Sequence, residues 1–392
     1  MSIVLSVSSS RADVGILEPV WRSLAADPEV ELHIFLTGAH VSDTALAAGA
    51  PPDRARLHVG GADLAGRAAS EAALAVPEIA AAMVRVIDQI APDSVVVIGD
   101  RLDMLPAAVA TLAFNIPIIH LHGGESSEGA LDERIRHAIS KLAHLHCAAT
   151  VDAAERLSRM GEEPWRIHVT GAPGLDSLLA APQLSAGEMA AELGLASGDN
   201  FILATVHPET NASHPFAALD AVLAALDDAA WPTVLTAPNA DPGGAEMRAR
   251  IEAFAAPRRW ALFRDTLGVR LYANAMRHAA LMLGNSSSGI VEAGLFGLPV
   301  IDVGGRQEGR ACGANVHHCG ADADAIRGLL APLGSALSAP RVARVSLYGD
   351  GHAAPRIAEV IKNQPARDKL LVKKYSDQAA EFSPPWTEHA AA

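Results

Sequence analysis

Short, continuous apolar runs alternate along this chain with longer segments of helical period. "SIVLSV" (2–7) reads as a strand, and "VGILEPVWRSLAAD" after it carries Ile16, Leu17, Val20, Trp21 and Leu24 on one helical stripe. "VELHIFLTG", "SVVVIGD" and "IPIIHLHGG" follow as further strands, each after a helical stretch. Strands that are apolar throughout, rather than alternating, predict a parallel sheet covered by helices on both faces. The pattern reaches "RIHVTGAPGLDSLL" and then breaks at "AAPQLSAGEMAAELGLASGDN", a connection with a small helix of its own. A second series begins with "FILATVHPE" and runs through "PTVLTAPN", "WALFRD", "LMLGNSS" and "PVIDVGG". The expected fold class is therefore α/β, with two Rossmann-like doubly wound domains facing a cleft. Ligands in such folds sit at the carboxyl ends of the strands. The pattern predicts residues 1–180 as the first domain, 181–361 as the second, and 362–392 as a polar extension, loose or docked on a neighbouring domain.

Composition narrows the function. Half of the 392 residues are apolar and the formal net charge is −14. That charge argues against a nucleic-acid or anionic-membrane partner but leaves room for a small anion held by local arginines. Cys147, Cys312 and Cys319 have no CxxC spacing, which fits a reducing cytosol rather than a disulfide framework. No run is long enough for a membrane span, and the first residues lack a signal-peptide pattern. The expected location is cytoplasmic.

Chemistry-bearing residues concentrate where strands end. "VVVIGDRLDMLP" puts Asp100 and Arg101 at the mouth of a strand, where Asp100 either faces a ligand or caps the next helix. "GNSSSGIVEAGLFGLPVIDVGGRQEGR" places Ser286, Ser287, Ser288 and Gly289 at a helix start, an arrangement suited to a diphosphate. Glu292 follows one turn later, to cap the helix or to bind a vicinal diol. Arg306 follows the next strand and Arg11 the first strand, both as anion partners. His207 and Asn239 end the first two strands of the second series. There is no Walker or dinucleotide fingerprint.

The densest segment is "HLHGGESSEGALDERIRHAIS" (120–140). His120 and His122, two apart on a strand, should point the same way. With Glu125 they form a possible metal set, but zinc-site spacings are missing, so no metal is expected. A helix is expected from Glu128 or Gly129, burying Leu131, Ile135, Ile139 and Leu142. Asp132–Arg136 and Glu133–His137 would then be i,i+4 pairs. That leaves Asp100, Glu125 and Asp132 as carboxylates able to divide acid and base roles.

These segments, with "SSRADVGILEPV", "PNADPGG" and "LYGDGHAAPRI", closely resemble the hydrolysing UDP-N-acetylglucosamine 2-epimerases of sialic-acid biosynthesis and their bacterial relatives. The similarity runs through nearly all of the chain to about Ile361. It implies a fold of the glycosyltransferase-B type, a UDP-sugar substrate, and release of UDP with inversion at C2 to give an N-acetylmannosamine-type sugar. It also implies elimination to a 2-acetamidoglucal followed by hydration, without a cofactor, in a homodimer or homotetramer. Relatives in the legionaminic-acid pathway act on a 2,4-diacetamido-6-deoxy sugar nucleotide. By motif, Arg11, Arg101, His207, Asn239, Ser286, Ser287, Glu292 and Arg306 inherit UDP-binding roles, and Asp100 and Asp132 catalytic ones. Some members have glutamate where this chain has His122. Either His122 or Glu125 takes that role here, or the substrate differs. A non-hydrolysing epimerase, a glycosyltransferase of the same fold, and a non-catalytic sugar-nucleotide-binding subunit are the alternatives.

Overall fold

The computed structural model describes residues 1–42, 51–64, 67–126, 131–196, 200–209, 212–239, 243–335 and 346–386. Its first unit is built on seven parallel strands: β1 (Ser2–Ser8), β2 (Val30–Leu36), β3 (Arg56–Val59), β4 (Ser94–Ile98), β5 (Ile118–Leu121), β6 (Leu145–Ala148) and β7 (Ile167–Val169). They lie in the order β3-β2-β1-β4-β5-β6-β7. The second unit has six: β8 (Ile202–Thr205), β9 (Thr233–Thr236), β10 (Ala261–Arg264), β11 (Leu281–Gly284), β12 (Val300–Val303) and β13 (Val316–Cys319), in the order β10-β9-β8-β11-β12-β13. Both sheets are wound outward in two directions from their first strand, which makes each a Rossmann-like unit. In each, the order reverses between the first and fourth strands, where loops part and leave a crevice at the strand ends.

The apolar runs fill these sheets as their pattern requires. Val4, Leu5 and Val7 of β1 are fully buried, as are Leu17, Trp21 and Leu24 of the helix Arg11–Ala25. The buried Trp21 indole satisfies its N–H by donating to Ser6 Oγ at 2.8 Å. The same helix starts from a capping box: Asp13 accepts from the Ser9 and Ser10 backbone N–H groups at 2.7 and 3.0 Å, and Ser10 Oγ accepts from Asp13 N.

The chain path differs from the expected 181–361 second domain. The first unit comprises residues 1–177 and everything from Tyr348 onward, and the second comprises Leu178–Leu347. The return has a clear cause. The helix Ala353–Lys362 buries Ile357 and Ile361 in the first unit's core. Its first two N–H groups, from Ala353 and Ala354, donate to the Asp176 carboxylate at 2.9 and 2.7 Å. The extension after it is docked on that same unit. Fully buried Arg166 donates to the carbonyls of Leu370 and Val372 at 3.0 and 2.9 Å. Among the described residues no helix is long and apolar enough to cross a membrane.

Candidate active site

In the first unit, the strand-end residues gather around a buried arginine. Asp100 follows β4, and its carboxylate pairs with Arg136 from the helix Leu131–Leu142. Arg136 is buried and also donates to Glu133 Oε2 at 2.8 Å and to the Glu125 carbonyl at 2.9 Å. Asp100 therefore does not cap the following helix; Asp103 occupies that cap position. The charges of "DERIRH" do more than pair along their own helix. Glu133 does accept from His137 at 3.1 Å, but Arg136 ties the helix to the mouth of β4. The expected helix start at Glu128 or Gly129 lies outside the described residues. Ile135 and Ile139 are buried, whereas Leu131, in the first turn, is exposed, because the core ends before it. Asp132 occupies the same turn, also exposed, one turn ahead of Arg136.

The two histidines do not share a direction. His120, fully buried on β5, lies 2.8 Å from the Gly99 carbonyl through Nε2 and 3.1 Å from Ser140 Oγ through Nδ1. Burial holds its pKa down at about 3, so the ring is neutral. His122 stands just past the strand in the left-handed region, with φ of 60°, and this turns it away from the strand's alternation. Its Nδ1 lies 2.6 Å from Glu125 Oε1. In the neutral ring, with the carboxylate accepting, Nδ1 carries the proton and Nε2 keeps a lone pair. Nε2 is buried and has no hydrogen-bond partner among the described residues. The glycine pair beyond it is steric: a side chain on Gly124 would overlap the Ala153 carbonyl. Among the described residues no group of three or more His, Cys, Asp or Glu is arranged to hold a metal ion. Arg11 begins the helix after β1 and is exposed, and Arg101 lies 3.5 Å from Asp103.

The second unit arranges its candidates around Asn285, which the sequence reading passed over. Asn285 is fully buried at the reversal between β8 and β11. Its side chain accepts from His207 N at 2.7 Å and donates to His207 O at 3.0 Å. Its backbone carbonyl accepts from Gln307 Nε2 at 2.8 Å and Arg306 Nη1 at 3.4 Å. Asn239 N donates to His207 Nδ1 at 3.0 Å, which leaves the proton on Nε2, 3.4 Å from Ser286 Oγ. Asn285 thus holds His207 and Arg306 directly, and the His207 ring in turn meets Asn239 and Ser286. Gly284 permits this: its φ is 137°, and a Cβ there would overlap the Thr205 carbonyl of β8.

The helix that starts at Ser287 is shorter than the sequence suggests. It spans only Ser287–Val291 before a tighter turn, Ala293–Phe296, so its dipole is small. Glu292 accepts from Ser288 Oγ rather than capping the helix, and Tyr272 OH lies 2.6 Å from the same hydroxyl. Burial raises the pKa of both Glu292 and Tyr272.

A family model described as UDP-N-acetylglucosamine 2-epimerase matches residues 22–362. The chain is 32% identical over 391 aligned residues to the UDP-N,N'-diacetylbacillosamine 2-epimerase (hydrolyzing) of Legionella pneumophila, covering 94% of this chain and 98% of that protein. It is 29% identical to the UDP-N-acetylglucosamine 2-epimerase of Neisseria meningitidis serogroup B, covering 96% and 99%. The S. aureus MnaA–UDP structure shares the fold with a TM-score of 0.74 at 20% identity, over 96% of this chain and 100% of that one. The Neisseria meningitidis UDP-GlcNAc 2-epimerase structure does so at 0.71 and 18%, over 92% and 100%.

Proposed function

The chain belongs to the UDP-N-acetylglucosamine 2-epimerase family, and we propose that it is a hydrolysing member, converting a UDP-linked 2-acetamido sugar to UDP and the free C2-inverted sugar. The observation that carries this reading is the His122–Glu125 pair beside the Asp100–Arg136 pair. A carboxylate on Nδ1 with a lone pair on the unengaged Nε2 is the arrangement of a general acid–base.

The C2 proton of the sugar is weakly acidic, so its removal must accompany loss of UDP from C1. Asp100, oriented by Arg136, is our candidate for the base near C2. Arg306, Arg11, Arg101, the Ser286 and Ser287 hydroxyls and His207 Nε2–H supply cations and donors for the departing diphosphate. Asn239 fixes the His207 tautomer, and Glu292 is the candidate for the ribose diol. Water then adds across the resulting 2-acetamidoglucal. His122, backed by Glu125, activates that water, and Asp132 is the further acid on the neighbouring helix.

A second sugar is favoured by specific relatives. The Legionella protein, and a Campylobacter jejuni protein 34% identical over 58% of this chain, are hydrolysing enzymes for N,N'-diacetylbacillosamine nucleotides. The test presents UDP-N-acetylglucosamine and UDP-2,4-diacetamido-2,4,6-trideoxyhexose separately and follows products by NMR. Free UDP with a free 2-epimerised sugar is expected. An epimerised sugar still carrying UDP would refute hydrolysis, and UDP binding with no turnover of either would refute catalysis. Asp100→Asn should lower kcat by roughly a thousandfold while leaving UDP affinity within about twofold, because none of the diphosphate partners named above is changed. Arg306→Ala should show the reverse bias.

A further inference from the structure

A charge cluster on the first unit lies outside the groups used above. Glu162 is fully buried and receives three partners: Lys141 Nζ at 2.6 Å, Lys373 Nζ at 2.6 Å and His146 Nε2 at 3.0 Å. Burial pushes the Glu162 carboxyl up, but these donors outweigh it and hold its pKa at about 2. Lys373 comes from the C-terminal extension, more than two hundred residues away in sequence. Its ammonium also donates to the carbonyls of Lys141 at 2.9 Å and Ala143 at 2.7 Å, and the Ser140 carbonyl lies 3.4 Å away. Those carbonyls close the helix Leu131–Leu142, which leaves its last C=O groups without intrahelical partners. A cation there satisfies them and complements the helix dipole.

The extension is built to hold Lys373 in place. Arg166 grips the carbonyls on either side of Leu371. The ring of Tyr375 packs against Gly161, where any side chain would collide with it, and Ser376 N donates to Gly161 O at 2.9 Å. Further along, Ala380 N donates to Ser158 Oγ at 2.8 Å, and Phe382 packs against the core around Leu157.

The helix clamped in this way carries Arg136, which holds Asp100. Ser140 stands between Arg136 and Lys373: its Oγ lies 2.9 Å from Arg136 O, and its carbonyl lies 3.4 Å from Lys373 Nζ. We propose that Lys373 is a positioning residue, a C-terminal clamp supplied by the tail that fixes the helix 131–142 so that Arg136 presents Asp100, and Asp132 stands, in working register. This rests on the reading of Asp100 and Asp132 as reacting groups. Lys373 touches neither.

The experiment compares full-length wild type, Lys373→Met and Lys373→Arg by hydrogen exchange, steady-state kinetics and UDP calorimetry. Lys373→Met should raise exchange of the 131–143 amides about tenfold or more while β1 and β4 stay protected. Its kcat should fall about tenfold with KM and UDP affinity within about twofold, and Lys373→Arg should recover most of both effects. Unchanged helix exchange overturns the proposal, whatever the kinetics. So does loss of protection throughout the unit, or a fall in UDP affinity that matches the fall in kcat. If Lys373→Met is not recovered folded, Lys373→Gln, which keeps two N–H donors without the charge, replaces it in each comparison. If wild type turns over no UDP-sugar, the functional reading fails, and the clamp is judged by exchange alone.

Discussion

His120 should make the first unit acid-sensitive by an amount that can be worked out in advance. The ring is buried without accessible surface, between the Gly99 carbonyl and Ser140. Burial holds its pKa near 3 in the folded chain, against about 6.5 when unfolded. The unfolded chain therefore takes up the proton first, and stability is lost as pH falls through 6.5, continuing down to the folded value. Between pH 7 and pH 5 this one group removes about 2 kcal/mol. His120→Gln keeps a donor for Gly99 and an acceptor for Ser140 but cannot titrate. Any constant packing cost of the substitution cancels when one variant is compared with itself at two pH values. The expected result is a pH 7-to-5 stability loss about 2 kcal/mol smaller than in wild type. Urea unfolding read by hydrogen exchange in β4, β5 and β6 reports this unit without interference from the other. The loss should not vanish in the variant. His144 and His146 are also held below their ordinary range, chiefly by burial, His144 to about 4. An identical loss in both proteins would refute the account of His120 as a neutral buried strut.

Two substitutions probe how the second unit is assembled. Asn285→Ala leaves the half-buried His207 N–H and C=O without their side-chain partner, at a cost of about 1–3 kcal/mol. UDP affinity measured by calorimetry should fall about tenfold or more, and preserved affinity would show that Asn285 does not organise this cluster. Gly284→Ala drives a methyl group into the Thr205 carbonyl where β8 and β11 pair. It should cost on the order of 3 kcal/mol, seen as a lowered melting temperature, and an unchanged melting temperature would contradict the close approach of the two strands.

The sequence reveals the strands that form continuous apolar runs and hides two of the edge strands, β3 and β13. β4, "SVVVI", and β11, "LMLG", are continuous apolar runs, and each is fully buried. β3, "RLHV", and β13, "VHHC", are largely exposed edge strands, so their residues carry no apolar signature. The return of the chain at Tyr348 was equally illegible. The helix Ala353–Lys362 has an ordinary amphipathic pattern that would suit either unit. Only the Asp176 carboxylate at its N-terminus and the core contacts of Ile357 and Ile361 determine which unit it joins.

The candidate site divides along a similar line. Residues directly after strands are legible as candidates because a parallel sheet presents its carboxyl ends to ligand whatever the loops do. Asp100, His122 and His207 fall in this class. What could not be read was the direction of a side chain that depends on tertiary burial. "DERIRH" satisfies i,i+4 pairing within itself, so the sequence alone assigns Arg136 to Asp132. Yet Ile135 and Ile139 pull that side of the helix inward, and Arg136 lies on the buried flank, where its charge needs carboxylates from elsewhere in the unit. His122 fails the strand rule for a related reason. Alternation holds only while the backbone stays extended, and β5 ends one residue earlier, at Leu121. The left-handed turn at His122 is uncommon outside glycine. It separates two histidines that sequence spacing would pair, assigning one to the core and leaving the other, with Glu125, free of the strand. A single backbone angle thus separates the buried imidazole of His120 from that of His122, which pairs with Glu125.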